Sequence, residues 1–126
     1  MSDRQLRGLR VLLIEDEELV AELIIDILDS AGCVVQGPFG RLPDALEAAQ
    51  SDNFDAAVLD LDLGGTPTFP VAALLDKRHV PFCFLTGFGK GGVPAEYATR
   101  PVVPKPFKAQ QLLDTLQHDC VRHIPG

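Results

Sequence analysis

The chain has 126 residues, of which 46% are hydrophobic, and its formal net charge is -7. A chain of this length fits one globular domain that buries roughly two-thirds of the surface exposed by the unfolded chain. Its acidic balance does not supply the basic patch that nucleic acid binding needs, so we expect a protein or a cation as the partner and no nucleic acid.

The first predicted strand, Arg10 to Ile14, is apolar and is followed by four acids, residues 15 to 18. The helix dipole favours acids in a first helical turn, and this accounts for the last two acids without any function. The first two, Glu15 and Asp16, stand at the carboxyl end of the strand. In open parallel α/β sheets the ligand crevice lies beyond these strand ends, so Glu15 and Asp16 are candidate site residues.

The rest of the chain alternates between helical and strand-like segments. The first helix has a 3.6-residue apolar stripe, which Gly32 can end, made of Leu19, Val20, Leu23, Ile24, Ile27, Leu28 and Ala31. Later strands are predicted at 33–36, which Gly37-Pro38 breaks, 56–59, 80–85 and 100–103, and later helices at 43–50, 70–78, 95–98 and 108–122. Five β-α units predict an α/β fold, a doubly wound five-stranded parallel sheet with helices on both faces.

The third predicted strand carries the candidate nucleophile. Residues 56–59 are apolar, which is typical of a strand buried on both faces, and Asp60 follows them directly. Gly64 and Gly65 then turn the chain. A carboxylate in this position can attack phosphorus and hold the phosphoryl group as an acyl phosphate. The structural alternative is a strand that ends in an Asp-rich turn.

The predicted topology gathers one set of residues at the carboxyl ends of the strands, namely Glu15, Asp16, Asp60, Thr86 and Lys105. Clustered carboxylates repel one another, and a divalent cation keeps them ionised together. Ligands that are all oxygen suit Mg²⁺. Phosphoryl transfer also needs charge neutralised on the phosphoryl oxygens, which a metal, an ammonium group and a hydroxyl donor can provide.

These residues and their order resemble the receiver domain of two-component response regulators. The resemblance covers about residues 10–121, and its motifs are Glu15-Asp16, Asp60, Thr86-Gly87 and Lys105-Pro106-Phe107. Residues 84–89 (Phe-Leu-Thr-Gly-Phe-Gly) are similar to the Phe-x-Thr-Gly motif of a subgroup of stand-alone receivers. We therefore place a receiver domain at 10–122, between an N-terminal tail at 1–9 and a C-terminal tail at 123–126.

The resemblance implies a role for each site residue. Asp60 is the phospho-acceptor, Thr86 senses the phosphoryl group, and Lys105 pairs with it. The implied ligands of Mg²⁺, or of Mn²⁺, are the side chains of Glu15, Asp16 and Asp60 and the backbone carbonyl of Asp62. Receivers also tend to have a cis bond before the proline, so Lys105-Pro106 is a candidate.

The resemblance also implies partners. The donor is a sensor histidine kinase or a histidine phosphotransfer protein, and the phosphoryl group either switches binding to a downstream protein target or is drained away, as in a phosphate sink. Apart from its own phosphorylation and slow dephosphorylation, such a domain is not an enzyme. No apolar run approaches the ~18 residues that span a bilayer, and the N-terminal segment has no signal-peptide core, so we expect a cytoplasmic location and no membrane partner.

One position departs from the family pattern. Many receivers have Tyr or Phe three residues before the lysine, where this chain has Val102. A valine cannot swing a ring inward when Thr86 moves, so we predict that the glycine-rich segment 87–92 carries the switch. Phe88 is its candidate residue, buried in one state and offered to a partner in the other. The alternative is a Phe88 that stays packed in the core.

Two other protein classes share parts of the pattern. Asp60-Leu61-Asp62 resembles the Asp-x-Asp-Gly-Thr signature of haloacid-dehalogenase-type phosphatases, in which the first Asp is the nucleophile and the second an acid/base. Here the motif ends the third predicted strand rather than the first, and the spacing is off by one residue. A flavodoxin-like binding module would need a Ser/Thr/Gly-rich phosphate loop after the first strand, where this chain has acids.

The cysteines and histidines are assigned to no site. The cysteines lie in apolar surroundings and are predicted to be reduced core thiols of a cytosolic protein: Cys33, Cys83 and Cys120. The histidines have no second ligand at metal-binding spacing and are predicted to lie on the surface: His79, His118 and His123.

Overall fold

The computed structural model describes residues 6–51, 53–87 and 92–120, apart from the side chain of Asp119. The helices are α1 (Glu18–Ser30), α2 (Leu42–Ser51), α3 (Phe69–Lys77) and α4 (Ala109–Thr115), with a 3₁₀ turn at Ala95–Tyr97 and a π-helical turn at Leu116–Cys120. The strands are β1 (Arg10–Ile14), β2 (Val34–Phe39), β3 (Ala56–Asp60), β4 (Asp62–Leu63), β5 (Thr66–Pro67), β6 (Phe82–Thr86) and β7 (Val102–Pro104).

Five strands form one parallel sheet in the order β2-β1-β3-β6-β7. Helices α1 and α4 contribute to the core on one face of this sheet, and α2 and α3 contribute to the core on the other. This confirms the predicted doubly wound fold. Every residue of β3 and β6 is buried, because central parallel strands are covered on both sides. The carboxyl ends of β1, β3, β6 and β7 therefore open onto one edge of the sheet.

The second strand is longer than predicted. It runs through Gly37-Pro38 and ends at Phe39, so the expected break is wrong. The register against β1 shifts between Leu12 and Ile14, and pairing resumes between Ile14 and Phe39. An edge strand can contain a proline in this way, because one side of its backbone takes no part in the ladder.

The apolar stripe of α1 is buried only in part. The residues that face the core are Ala21, Ile24, Ile27 and Leu28. Leu19 is 81% exposed and Leu23 is 49% exposed, so these two residues of the predicted apolar stripe do not face the core. Residues 21, 24 and 28 follow the i, i+3, i+7 spacing of one helix face, and the two leucines lie on a different row.

The structure describes part of each predicted end of the domain. Leu6 and Leu9 are buried in the core, so the predicted tail is packed from Leu6 onward. The last α-helix ends at Thr115 and continues as the π-helical turn, while its predicted end at residue 122 lies outside the described residues. Within the described ranges, no helix is long and apolar enough to cross a membrane.

The described cysteines and histidines lie where the sequence predicted. The three cysteines are buried: Cys33, Cys83 and Cys120. His79 and His118 are exposed, and His123 lies outside the described residues.

Candidate functional site

Four neighbouring parallel strands place the candidate residues at one edge of the sheet. Asp60 ends β3, Thr86 ends β6, Glu15 directly follows β1, and Lys105 directly follows β7. A cleft of about 390 Å³ opens at this edge and is lined by Asp16, Glu17, Asp60, Leu61, Asp62, Gly64, Thr86, Gly87 and Lys105. Glu15 is buried beside the cleft and contacts it through Lys105. The structure thus brings together the residues that the sequence placed at strand ends.

One ammonium group serves three carboxylates. The Lys105 Nζ lies 3.1 Å from Asp60 Oδ2, 3.2 Å from Glu15 Oε1 and 3.3 Å from Glu17 Oε1. Asp16 lines the same cleft and is exposed. Among the described residues at this edge, acids therefore outnumber the cation.

Glu15 is the most deeply buried acid of the cluster. Its side chain is 0% exposed, and its Oε2 accepts a hydrogen bond of 3.0 Å from the Glu17 N–H. Burial is the main cause that raises the pKa of Glu15 to about 7, and the charge of Asp60 adds to it. Burial alone would lower the pKa of Lys105, but its hydrogen bond to Asp60 and the charges of Asp60 and Glu15 raise that pKa above its usual range. The Glu15 shift thus reflects its burial first, and the Lys105 shift reflects the acids around it.

The acid cluster fits a divalent cation. Glu15, Asp16 and Asp60 each offer a carboxylate oxygen, and these oxygens lie within 4.8 Å of one another. A donor set made of oxygens that are not fully neutralised is suited to a hard cation such as Mg²⁺. The Asp62 side chain is engaged elsewhere, because its Oδ2 accepts a hydrogen bond of 2.7 Å from the Gly65 N–H.

The structure describes two of the three predicted switch residues, Thr86 and Val102. Val102 is half-buried in β7 and pairs with Phe84 of β6. Thr86 is 2% exposed, and its carbonyl accepts a hydrogen bond of 2.8 Å from the Lys105 N–H. The Lys105-Pro106 bond is cis, as predicted. Phe88 lies outside the described residues, as do 89–91.

A buried aromatic cluster beside Thr86 was missed by the sequence analysis. The ring of Tyr97 is stacked on Phe69 at a centroid distance of 5.9 Å and meets Phe84 edge to face at 5.9 Å. Alternate residues of a strand share a face, so Phe84 and Thr86 lie on the same side of β6. Tyr97 is in a short turn with no periodic pattern, and the sequence therefore gave no sign of its burial.

Thr68 is a second residue that the sequence analysis missed. It is 0% exposed, and its hydroxyl donates a hydrogen bond of 2.6 Å to the backbone carbonyl of Asp60. Its loop is rich in Gly, Thr and Pro, a composition typical of solvent-facing turns. The signal that could have found it is its place just before α3, where Thr is a common N-cap residue.

Comparison with known proteins identifies relatives of the chain. A family model described as the response regulator receiver domain matches residues 11–117. Among curated proteins, the sensor protein TorS of Escherichia coli (strain K12) is 31% identical over 121 residues, a match that covers 90% of this chain and 13% of TorS. The chain thus spans a small part of that relative.

Solved structures share the fold. SdrG from Sphingomonas melonis Fr1 superposes with a TM-score of 0.79 at 31% identity, covering 91% of this chain and 97% of SdrG. The receiver domain of the sensor histidine kinase PA1611 from Pseudomonas aeruginosa PAO1, which has a magnesium ion coordinated in its active site cleft, has a TM-score of 0.77 at 24% identity. That match covers 91% of this chain and 98% of the other domain, and it shows a common fold.

Proposed function

The chain belongs to the response regulator receiver domain family, and from this premise we propose that it accepts a phosphoryl group on the Asp60 carboxylate. The observation that carries the proposal is the contact between Asp60 and the Lys105 ammonium group in the cleft. Among the described residues that line it, Lys105 is the single cation, and its Nζ lies 3.1 Å from Asp60. A carboxylate held beside an ammonium group at a strand end is placed to take up a group that carries further negative charge.

The family match gives no support to the phosphatase alternative. That alternative needs Asp60 as the nucleophile and the Asp62 carboxylate as the acid/base. The Asp62 carboxylate instead accepts a hydrogen bond of 2.7 Å from Gly65 within the turn between β4 and β5.

In the proposed reaction, an Asp60 carboxylate oxygen attacks the phosphorus of a phosphohistidine on the donor protein. The P–O bond forms as the P–N bond breaks, and the electron pair of the P–N bond passes to the imidazole nitrogen. The Lys105 ammonium is placed to pair with one phosphoryl oxygen. The Thr86 hydroxyl, on the neighbouring strand end, is the proposed donor to another.

The proposal assigns a divalent cation, Mg²⁺ or Mn²⁺, to the carboxylates of Glu15, Asp16 and Asp60 and to the backbone carbonyl of Asp62. When bound, such a cation supplies charge neutralisation on the phosphoryl oxygens. Two observations support the assignment, namely the 4.8 Å grouping of the carboxylate oxygens and the raised pKa of Glu15. The magnesium ion in the PA1611 receiver domain is consistent with it.

The proposed phosphoryl donor is a histidine kinase or a histidine phosphotransfer protein in the cytoplasm. The exposed leucines of α1 support a protein partner, since Leu19 and Leu23 are one helical turn apart and α1 begins next to the cleft. Acids surround them on the same helix, among them Glu18 and Glu22. We propose that a donor with an apolar, basic-rimmed surface docks on this face and that phosphorylation then changes the binding of a downstream protein.

The test is incubation with acetyl phosphate and Mg²⁺, followed by measurement of the intact mass. We expect one phosphoryl group on the wild type, none on Asp60→Asn, and one on Asp62→Asn, because only the backbone of Asp62 is assigned a role. Gain of a phosphoryl group by Asp60→Asn would show that the acceptor is another residue. Turnover of p-nitrophenyl phosphate that depends on both Asp60 and Asp62 would instead support the phosphatase alternative.

A further inference from the structure

The Thr68 hydroxyl is directed at the backbone of the proposed phosphoryl acceptor. Besides its 2.6 Å hydrogen bond to the Asp60 carbonyl, it lies 3.2 Å from the Leu61 carbonyl. The Thr68 N–H donates to that same Leu61 carbonyl at 3.0 Å. One fully buried residue therefore holds the two peptide groups that follow Asp60.

The sheet does not supply these contacts, because β1 ends too early. The last pair between β1 and β3 joins Ile14 to Leu59, so no β1 residue is paired with Asp60. On its other side β3 stays bonded to β6, where the Leu61 N–H donates to the Leu85 carbonyl at 3.0 Å. A buried carbonyl without a donor costs about 1–3 kcal/mol, and Thr68 supplies the donor that the missing strand residue would have supplied.

The hydroxyl is not used to begin α3. Thr68 is the N-cap residue of that helix, yet its side chain makes no capping hydrogen bond. A capping Thr normally accepts a hydrogen bond from an N–H of the first turn. Here the helix has Pro70 near its start, which lacks an N–H, and the Thr68 carbonyl accepts from Val71 N–H at 2.9 Å. The hydroxyl therefore serves the end of β3 rather than the helix.

We propose that Thr68 is a positioning residue for phosphorylation of Asp60. By fixing the two peptide planes after Asp60, its hydroxyl sets where the Asp60 carboxylate and the Asp62 backbone carbonyl stand relative to the cleft. This inference rests on the proposed function, because it concerns the same acceptor. Phosphoryl transfer needs near in-line alignment, so a small misplacement of the carboxylate lowers the rate even in a folded protein.

Three variants separate positioning from stability. Thr68→Val keeps the shape and removes the hydroxyl, whereas Thr68→Ser keeps the hydroxyl and removes a methyl group. Thr115→Val is the matched control, because the Thr115 hydroxyl also donates to a carbonyl, that of Gln111 at 2.9 Å, away from the cleft. Thr68→Ala completes the set, since its comparison with Thr68→Ser isolates the hydroxyl in two smaller side chains if Thr68→Val does not fold.

The experiment measures the rate of phosphorylation (labelling) as a function of acetyl phosphate concentration at saturating Mg²⁺. Calorimetry measures the Mg²⁺ affinity of each variant, and thermal unfolding shows whether the variant is folded. We expect Thr68→Val to lower the maximum rate about tenfold and to weaken Mg²⁺ binding, while Thr68→Ser and Thr115→Val stay within about twofold of the wild type. A wild-type maximum rate in folded Thr68→Val, or equal rates for Thr68→Ser and Thr68→Ala, would overturn the inference. A wild type that gains no phosphoryl group, or an Asp60→Asn that gains one, would overturn the proposed function instead.

Discussion

The two edges of the central sheet have clefts of similar size but different charge balance. At the carboxyl edge, Lys105 is the one cation among the described residues that contacts the carboxylates of Asp60, Glu15 and Glu17. At the amino edge, a cleft of about 450 Å³ is lined by Asp76, His79, Val80, Pro81 and Arg100. There Arg100 forms a one-to-one ion pair with Asp76 at 2.5 Å and lies 5.4 Å from the centre of the Phe82 ring.

The difference between the edges distinguishes a functional cluster from a structural one. At the amino edge Arg100 and Asp76 pair with each other, and this contact joins α3 to the segment before β7. Among the described residues of the carboxyl edge the acids exceed the cation and one of them, Glu15, is buried, which costs stability in the folded protein. Such an imbalance is typical of sites that bind a cation or a ligand, whereas neutral pairs are typical of packing.

The largest expected effect is on the rate of phosphorylation, and it is tested by replacing one acid at each edge. Asp16→Asn removes a proposed metal ligand and should slow labelling by acetyl phosphate about 100-fold at a fixed Mg²⁺ concentration. Asp76→Asn, the control, should label at the wild-type rate and unfold at a lower temperature. Intact mass against time measures the first quantity and circular dichroism the second. If Asp16→Asn is phosphorylated at a rate within about twofold of the wild type, Asp16 is not a metal ligand and the contrast between the two edges does not hold.

The second prediction concerns the stability cost of Glu15. The pKa of Glu15 is raised from 4.5 to about 7 in the folded protein. Protonation of Glu15 therefore contributes fully to the free energy of unfolding below pH 4.5, and this contribution is lost as the pH rises through 7. Without divalent cations, Glu15→Gln should be more stable than the wild type at pH 8 by about 1–3 kcal/mol and equal to it at pH 4. Urea unfolding at the two pH values measures this. A variant less stable than the wild type at pH 8 would show that the buried charge is compensated.

The third prediction separates chemistry from response at the carboxyl edge. Lys105→Ala and Thr86→Ala each remove one group that is proposed to pair with the phosphoryl product, so phosphorylation should slow by about tenfold or less, while Mg²⁺ binding is kept. The change in hydrogen exchange caused by beryllofluoride should be lost in both variants. Arg100→Ala, at the opposite edge, should keep that change. Loss of Mg²⁺ binding in Lys105→Ala or Thr86→Ala would contradict the assigned roles.

The smallest effect is expected at the amino edge. His79 follows α3 with a φ of 61°, a conformation that favours glycine. His79→Gly should therefore stabilise the protein by about 0.5–1 kcal/mol, as measured by urea unfolding, and leave labelling unchanged. A decrease in the labelling rate would mean that the two edges are coupled.

The sequence predicted the fold well because the signals were local and repeated. Apolar runs at Arg10–Ile14 and Ala56–Asp60 and the helical stripes between the strands were sufficient for the order of the elements. Details that depend on packing were not accessible. The rotation of α1, which exposes Leu19, depends on which face meets the sheet, and the passage of β2 through Gly37-Pro38 depends on its edge position.

The same limit applies to the site. Residues at strand ends, such as Asp60 and Lys105, were found because topology alone places them. Thr68 and Tyr97 were missed because their importance comes from contacts with β3 and β6 made by loops without periodicity. Side chains that act through another residue's backbone leave no motif at their own position.

The aromatic cluster has an optical consequence. The chain contains one tyrosine and no tryptophan, so ultraviolet emission excited at 280 nm comes from Tyr97 alone. Tyr97 is 5% exposed and belongs to the same core cluster as Phe82 and Phe84 of β6. Burial also raises the pKa of Tyr97, so its phenolate absorbance develops at a higher pH while this cluster stays closed. The fluorescence of Tyr97 in an unlabelled sample therefore reports on changes in this aromatic cluster in real time.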